Sequence, residues 1–291
     1  MYTGTFELDE RAFESDHIDA VLAEIKAHFP GHFTSFVAHA ETAFGEAIEK
    51  FETDQVHYQE IFEPDVLEEY EDDPSTFKFT LRHKCPIIRR CLMSPADEMK
   101  KYKISFNSES GNRLLEVTSN IVSFGRTYMQ QFDPGTHEHT STVEDLDLSD
   151  LNDDETYTAY GVIGGGIRSH FLYSLYPHAF PNRSQNAVWS LYFLSGKQDF
   201  GLADASEFLM IDIKSENMKT QQNYFYPYDL FAFYALKIWL MLRDACAAKR
   251  IYLDPSYRYV YLDAFFNHVV EMHQAEIDLY KLKDQYEFYD H

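Results

Sequence analysis

The chain has 291 residues, of which 45% are apolar and 16% aromatic, too much apolar side chain for a disordered protein and enough for one large core or two modest ones. Its formal net charge is −23 and uneven: residues 1–160 carry 33 acids against 13 bases, and residues 161–291 carry 15 against 12. The acidic half repels phosphate backbones at long range, which argues against broad nonspecific DNA binding through it; it would attract a basic partner, or simply keep the protein soluble.

No stretch approaches about eighteen uninterrupted apolar residues, so no transmembrane helix is expected. The acidic N-terminus MYTGTFELDERAFESD lacks the basic and apolar regions of a secretory signal. Three cysteines, Cys85, Cys91 and Cys246, without Cys-x-x-Cys spacing, suggest reduced thiols in a cytosol.

Residues 17–29 place Ile18, Val21, Leu22, Ile25 and Phe29 at helical spacing, and Pro30-Gly31 is expected to stop that helix. A second helical stretch repeats Phe33, Val37, Phe44, Ile48 and Phe51 at three or four. EPDVLEEYEDDPS reads as an acidic turn region. Over 76–130, TFKFTLRH and KYKISFNS alternate apolar and polar, and RLLEVTSNIVSFGRTYMQQF is rich in β-branched and aromatic residues. With SESGNR as a hairpin turn, this predicts an antiparallel β region covered by the N-terminal helices.

The acidic, aperiodic run after Asp133 reads as a loop or linker over 133–160. It separates an acidic helix-plus-sheet part (1–132) from a mainly helical part with one short strand (161–291). In the latter, GVIGGGIRSHFLYSLY turns from glycines into a helix. FPNRSQNAVWSLYFLSG has Asn182 or Ser184 as N-cap and ends at Gly196. SEFLMIDIKSE is a short strand, and helices are expected over about 227–247 and 257–285. The expected fold class is α+β: N-terminal helices with an antiparallel sheet, then a mainly helical C-terminal part.

Side chains alternate along a strand, so Phe208, Met210, Asp212 and Lys214 share one face of SEFLMIDIKSE. A carboxylate beside an ammonium at a strand end suits metal-dependent hydrolysis: the first holds Mg²⁺, the second orients the attacking water. A second acid must face the same metal, and Asp204 is nearest, with Glu207 behind it. Over about residues 170–226 the chain resembles the RecB-like branch of the PD-(D/E)xK nuclease superfamily. The resemblance rests on His170 in IRSHFL, Gly201 and Asp204 in GLAD, Asp212 and Lys214 in DIK, and Gln222 and Tyr224 in TQQNYFY. It implies helices packed on a mixed sheet, a DNA or RNA substrate, and Mg²⁺ or Mn²⁺ held by Asp204 and Asp212. It also implies catalytic or supporting roles for Lys214, His170, Gln222 and Tyr224, with the last two on the helix after the strand. Without the resemblance, the strand ends in a solvated ion pair worth about 0–1 kcal/mol.

Gly161, Gly164, Gly165 and Gly166 read as a hinge or as a phosphate cradle, in which Gly165 and Gly166 offer backbone and Arg168 a bidentate contact. His137, Glu138 and His139 could ligate a metal if on a strand, and are otherwise a solvated cluster. Arg82, Lys84, Arg89 and Arg90 form the dense basic patch, read as neutralising nearby acids. In YPHAFPNRS, Tyr176 and Phe180 are expected to anchor the core, and Arg183 to cap or pair locally or to contact phosphate. QQNYFYPYDLFAFYALKIWLML reads as an aromatic core helix rather than a base-stacking surface.

Two functions follow. One is a cytoplasmic metal-dependent nuclease or nucleic-acid-processing component of restriction or defence type. The other is a non-catalytic accessory or immunity-type protein that binds a basic protein through its acidic N-terminal half. Neither involves a membrane.

Overall fold

The N-terminal apolar stripe forms a helix that runs further than its proline suggests. In the computed structural model, which describes residues 9–96, 99–201, 207–211 and 220–283, α1 (Ser15–Phe36) continues through Pro30. Proline removes one backbone N–H bond, but Phe29, Phe33 and Phe36 carry the buried stripe across it, and their burial outweighs that loss. A 3₁₀ turn leads into α2 (Ala40–Phe62), which buries Phe44, Phe51, Tyr58, Ile61 and Phe62.

Next come α3 (Pro64–Glu69), α4 (Pro74–Lys84) and α5 (Pro86–Met93). Each starts on a proline, which has no amide to leave unsatisfied in a first turn. They are followed by α6 (Met99–Ser108) and α7 (Gly111–Gln131). The antiparallel sheet expected over 76–130 is therefore corrected: the described residues there are helices and short links. The two-residue alternation is too short to decide the matter. The buried set Phe77, Thr80 and Leu81 recurs at three and four, and Leu114, Leu115, Val117, Thr118, Ile121, Val122 and Gly125 make a helical stripe.

SESGNR is a helix start rather than a hairpin turn. Ser110 Oγ accepts the Arg113 N–H at 3.1 Å as N-cap. Gly111 backs onto Pro74, where a Cβ would lie 2.2 Å from the carbonyl oxygen, so the glycine lets α7 close on α4.

The stretch read as a linker holds α8 (Pro134–Glu138), two 3₁₀ turns and α9 (Asp154–Tyr157). It buries Val143, Leu146, Leu148 and Leu151 in the same core as its neighbours, so it packs rather than spaces. Beyond it come α10 (Gly165–Leu175), α11 (Gln185–Leu194), β1 (Leu209–Ile211), β2 (Thr220–Gln222) and α12 (Tyr228–Ala248). The chain continues with α13 (Arg258–Met272) and α14 (Gln274–Lys283), two helices where the spacing suggested one. The described sheet is the antiparallel pair β1–β2, in register Leu209↔Gln222 and Ile211↔Thr220. The protein is thus mostly helical with a small hairpin. Helix α2 packs on α10 and α13, and α1 on α11 and α12, so the two expected parts share one core. Among the described residues no helix is long and apolar enough to cross a membrane.

The three cysteines are free, and burial pushes the Cys85 and Cys246 thiols up to about 12 and 11. Because a methyl group at Gly111 has only backbone to displace, Gly111→Ala should destabilise the protein by about 1–3 kcal/mol. Urea denaturation measures this; an unchanged midpoint would show that α4 and α7 do not close on each other there.

Candidate functional site

Helices α2, α5, α6, α10, α11 and α13, with β2 and the turn after it, line an open cleft of about 2170 Å³. Gly165, Gly166 and Arg168 reach it from the first turn of α10, His170 from the next, Gln222 from the end of β2, and Tyr224 from the turn before α12. Six residues singled out in the sequence thus meet on one surface. Asp204, Asp212 and Lys214 lie outside the described residues. Two expectations of the resemblance are corrected: Gln222 and Tyr224 precede α12 rather than sitting on it, and the described sheet is a two-stranded antiparallel hairpin rather than a mixed sheet.

Among the described lining residues, Lys50, Lys101, Arg90, Arg168, Arg183 and Lys281 are cationic, against Glu46, Asp54, Asp263 and Glu271. This cationic excess sits in a protein of net charge −23. The strongest concentration is at the amino end of α10. Gly164 at the N-cap supplies no capping side chain, and a helix start carries roughly half a positive charge. Two buried guanidiniums converge there. A Cβ on Gly165 would lie 2.6 Å from Arg183 Nη1 and 3.8 Å from Arg168 Nη2. Arg168 Nη1 donates to Thr158 Oγ1 (3.3 Å), and Arg183 Nη2 donates to the carbonyls of Tyr224 (2.5 Å) and Asn223 (3.3 Å). Gly165 is the space in which Arg183 lies, and Arg183 is the strut between α10 and the residues after β2.

Below this end runs a row of polar side chains. His170 Nδ1–H donates to Asn182 Oδ1 (3.3 Å), and Asn182 Nδ2 donates to Asp263 Oδ1 (3.2 Å). From the other side Asn186 Nδ2 donates to Asn267 Oδ1 (2.7 Å), and Asn267 Nδ2 donates to Asp263 Oδ2 (3.4 Å). Both chains of donors end on the one carboxylate, through Asn182 and Asn267. Burial pushes the Asp263 carboxyl up to about 6, against the pull of the Asn182 bond and the Lys50 charge. Burial likewise holds His170 neutral, its pKa pushed down to about 4 with help from the Arg90 charge, and its Nε2 is buried without a hydrogen-bond partner. A titratable carboxyl and a neutral imidazole thus share the cleft floor, the usual makings of proton transfer.

Other sequence candidates are structural. His137 is buried on α8 with Nε2 bonded to Tyr259 Oη (3.0 Å), and His139 Nδ1 bonds the Gly135 carbonyl (2.7 Å). Glu138 pairs with Arg258 (2.8 Å) and Arg243 (2.5 Å), so the His-Glu-His run faces three ways and does not gather on one metal. Glu207 is buried against His17 and Tyr226, which ties the approach to β1 onto α1 and takes up the carboxylate. In the basic patch, Arg90 pairs with Asp54 (2.6 Å), as neutralisation predicts, whereas Arg82 donates to the uncharged amide oxygen of Asn107 (2.5 Å). Lys84 and Arg89 are exposed.

The asparagine row was missed in the sequence. Its signal is partial: Asp263 and Asn267 recur at four in the apolar run of α13, the spacing of one helix face, whereas Asn182 lies before the Ser184 cap and only Asn186 is on α11. No protein-family model, curated protein or solved structure significantly matches this chain.

The folded protein holds the Asp263 proton more tightly than the unfolded chain, whose ordinary value is 3.8. The stability so contributed is present below that value and is lost as pH rises through about 6. Relative to wild type, Asp263→Asn should therefore gain about 1–2 kcal/mol of stability between about pH 5 and pH 8. Urea denaturation at the two pH values checks this, and a pH-independent difference would contradict the buried, proton-holding carboxyl.

Proposed function

We propose that the cleft holds a nucleic-acid strand and that the chain processes nucleic acid, in the manner of a metal-dependent nuclease of restriction or defence type. The observation that carries this reading is the convergence of Gly165, Gly166, Arg168, His170, Gln222 and Tyr224 on one cleft with a cationic excess. The amino end of α10, with Arg168 and Arg183 beside it, suits a phosphate, and the acidic surface elsewhere steers a polyanion toward this one place.

Cleavage would call on Asp204 and Asp212 to hold Mg²⁺ or Mn²⁺ and on Lys214 to orient water. Among the described residues no three His, Cys, Asp or Glu side chains are grouped as a metal needs, so no step is routed through one. A second reading has its own observation. Glu63, Asp65, Glu68, Glu69, Glu71 and Asp72, from the end of α2 to the start of α4, are all exposed and none lines the cleft, a surface suited to a basic protein partner.

Fluorescence anisotropy with labelled DNA and RNA at several salt concentrations tests the first reading. Binding should weaken with salt, and Lys50→Ala and Lys101→Ala should each lower the slope of log Kd against log salt by about 0.7–0.9. With Mg²⁺ or Mn²⁺ added, cleavage by wild type should vanish in Lys214→Ala. Activity that survives Lys214→Ala would remove the nuclease assignment. Capture of a basic protein without nucleic-acid binding would move the assignment to the second reading.

A further inference from the structure

We infer that the strand held in the cleft is single-stranded, its bases stacking on Tyr160 and Phe225 at the mouth; this rests on the nucleic-acid reading of the same cleft. Single exposed aromatics are common on protein surfaces and need no explanation by themselves. These two are marked by their place and their rigidity. Tyr160 is 70% exposed and Phe225 41% exposed, and both line the cleft. Each belongs to a segment that leads to the cleft's most cationic point. Tyr160 stands five residues before Gly165, and Phe225 follows Tyr224, whose carbonyl accepts from Arg183.

Neither ring hangs on a loose loop. The turn that presents Tyr160 is closed by the Ala159 N–H to Ile163 carbonyl bond (3.0 Å). Gly161 sits in it at φ +78°, where a Cβ would lie 2.6 Å from Ser105 Oγ, so the turn is wedged against α6 and accepts only glycine. Phe225 is held by its N–H to Asn223 Oδ1 (3.0 Å), while Asn223 Nδ2 donates to the Glu207 carbonyl (3.0 Å). Phe225 packs its ring on Tyr224, with centroids 4.4 Å apart, and still leaves part of it exposed, while Tyr160 is largely in water; exposed ring area on a fixed backbone suits a flat apolar partner.

A base is such a partner, and the phosphates beside it would lie toward Arg168 and the start of α10. Stacking requires an uncovered base face. In a duplex those faces are already stacked on their neighbours, so an aromatic platform beside a cationic groove favours unpaired strands of any sequence.

The test is anisotropy at low salt with a fluorescein-labelled oligonucleotide of about twelve nucleotides, single-stranded and as a duplex of the same sequence. Wild type should bind the single strand at least about tenfold more tightly than the duplex. Tyr160→Ala and Phe225→Ala should each weaken single-strand binding about 5- to 100-fold, with the salt slope unchanged because no charge is lost. Tyr160→Phe, which keeps the ring, should bind as wild type does. Both side chains are exposed, so circular dichroism should show an unaltered fold. Equal binding of duplex and single strand, or alanine variants that bind as wild type, would overturn the stacking inference while leaving the cleft a backbone-binding site. Loss of all binding by wild type to both forms would overturn the inference and the nucleic-acid reading together.

Discussion

One buried guanidinium holds the cleft together. The Arg183 backbone N–H donates to Ser169 Oγ on α10 (3.1 Å), its Nη2 reaches the carbonyls of Asn223 and Tyr224, and its Nη1 fills the space over Gly165. Arg183 therefore ties α10 and the bend that follows it to the chain leaving β2, about forty residues further on. Taking a charge out of water is costly unless its donors find acceptors, and a planar fork meets several at once in a way a lysine cannot. The geometry of the cationic end follows from this: remove the side-chain-free position at 165 and the guanidinium has no room.

The cleft floor works by the same logic in the opposite sign. Asp263 is placed among apolar helices, and asparagines rather than cations answer it. Amides satisfy a carboxylate's oxygens without cancelling its charge, so burial still raises the pKa and leaves the group able to gain or lose a proton near neutrality. A lysine in hydrogen-bonded contact would have locked it ionised. The cleft thus combines a fixed positive rim with a titratable floor, and both rest on backbone held by the surrounding core.

Much of the helical framework was legible. The stripe Ile18, Val21, Ile25 and Phe29, the Ser184 cap of α11 and the aromatic run of α12 all form as their spacing requires, because a long apolar period has one solution in water. Residues 76–130 misled for a definite reason. Aromatic and β-branched side chains favour strands only when a neighbouring strand offers them a surface, and here Phe77, Leu81, Leu114 and Ile121 found helices instead. The cleft was legible by halves. The glycines, Arg168, His170, Gln222 and Tyr224 stood out by residue type, whereas Asn182 reads as a cap, and Asn186, Asp263 and Asn267 as ordinary helix polar residues, until the helices are placed side by side.

Composition, apolar period and caps suffice to specify a folded, acidic, aromatic-rich chain and its long helices, since those are local matters of burial and backbone satisfaction. Packing between distant segments is what puts Pro30 inside a helix, buries the 133–160 stretch in the core and, in a protein of net charge −23, gathers a cationic excess among the described residues of one cleft. Those outcomes depend on contacts between residues tens to hundreds of positions apart, and the energies that settle them belong to the pairs rather than to either residue alone.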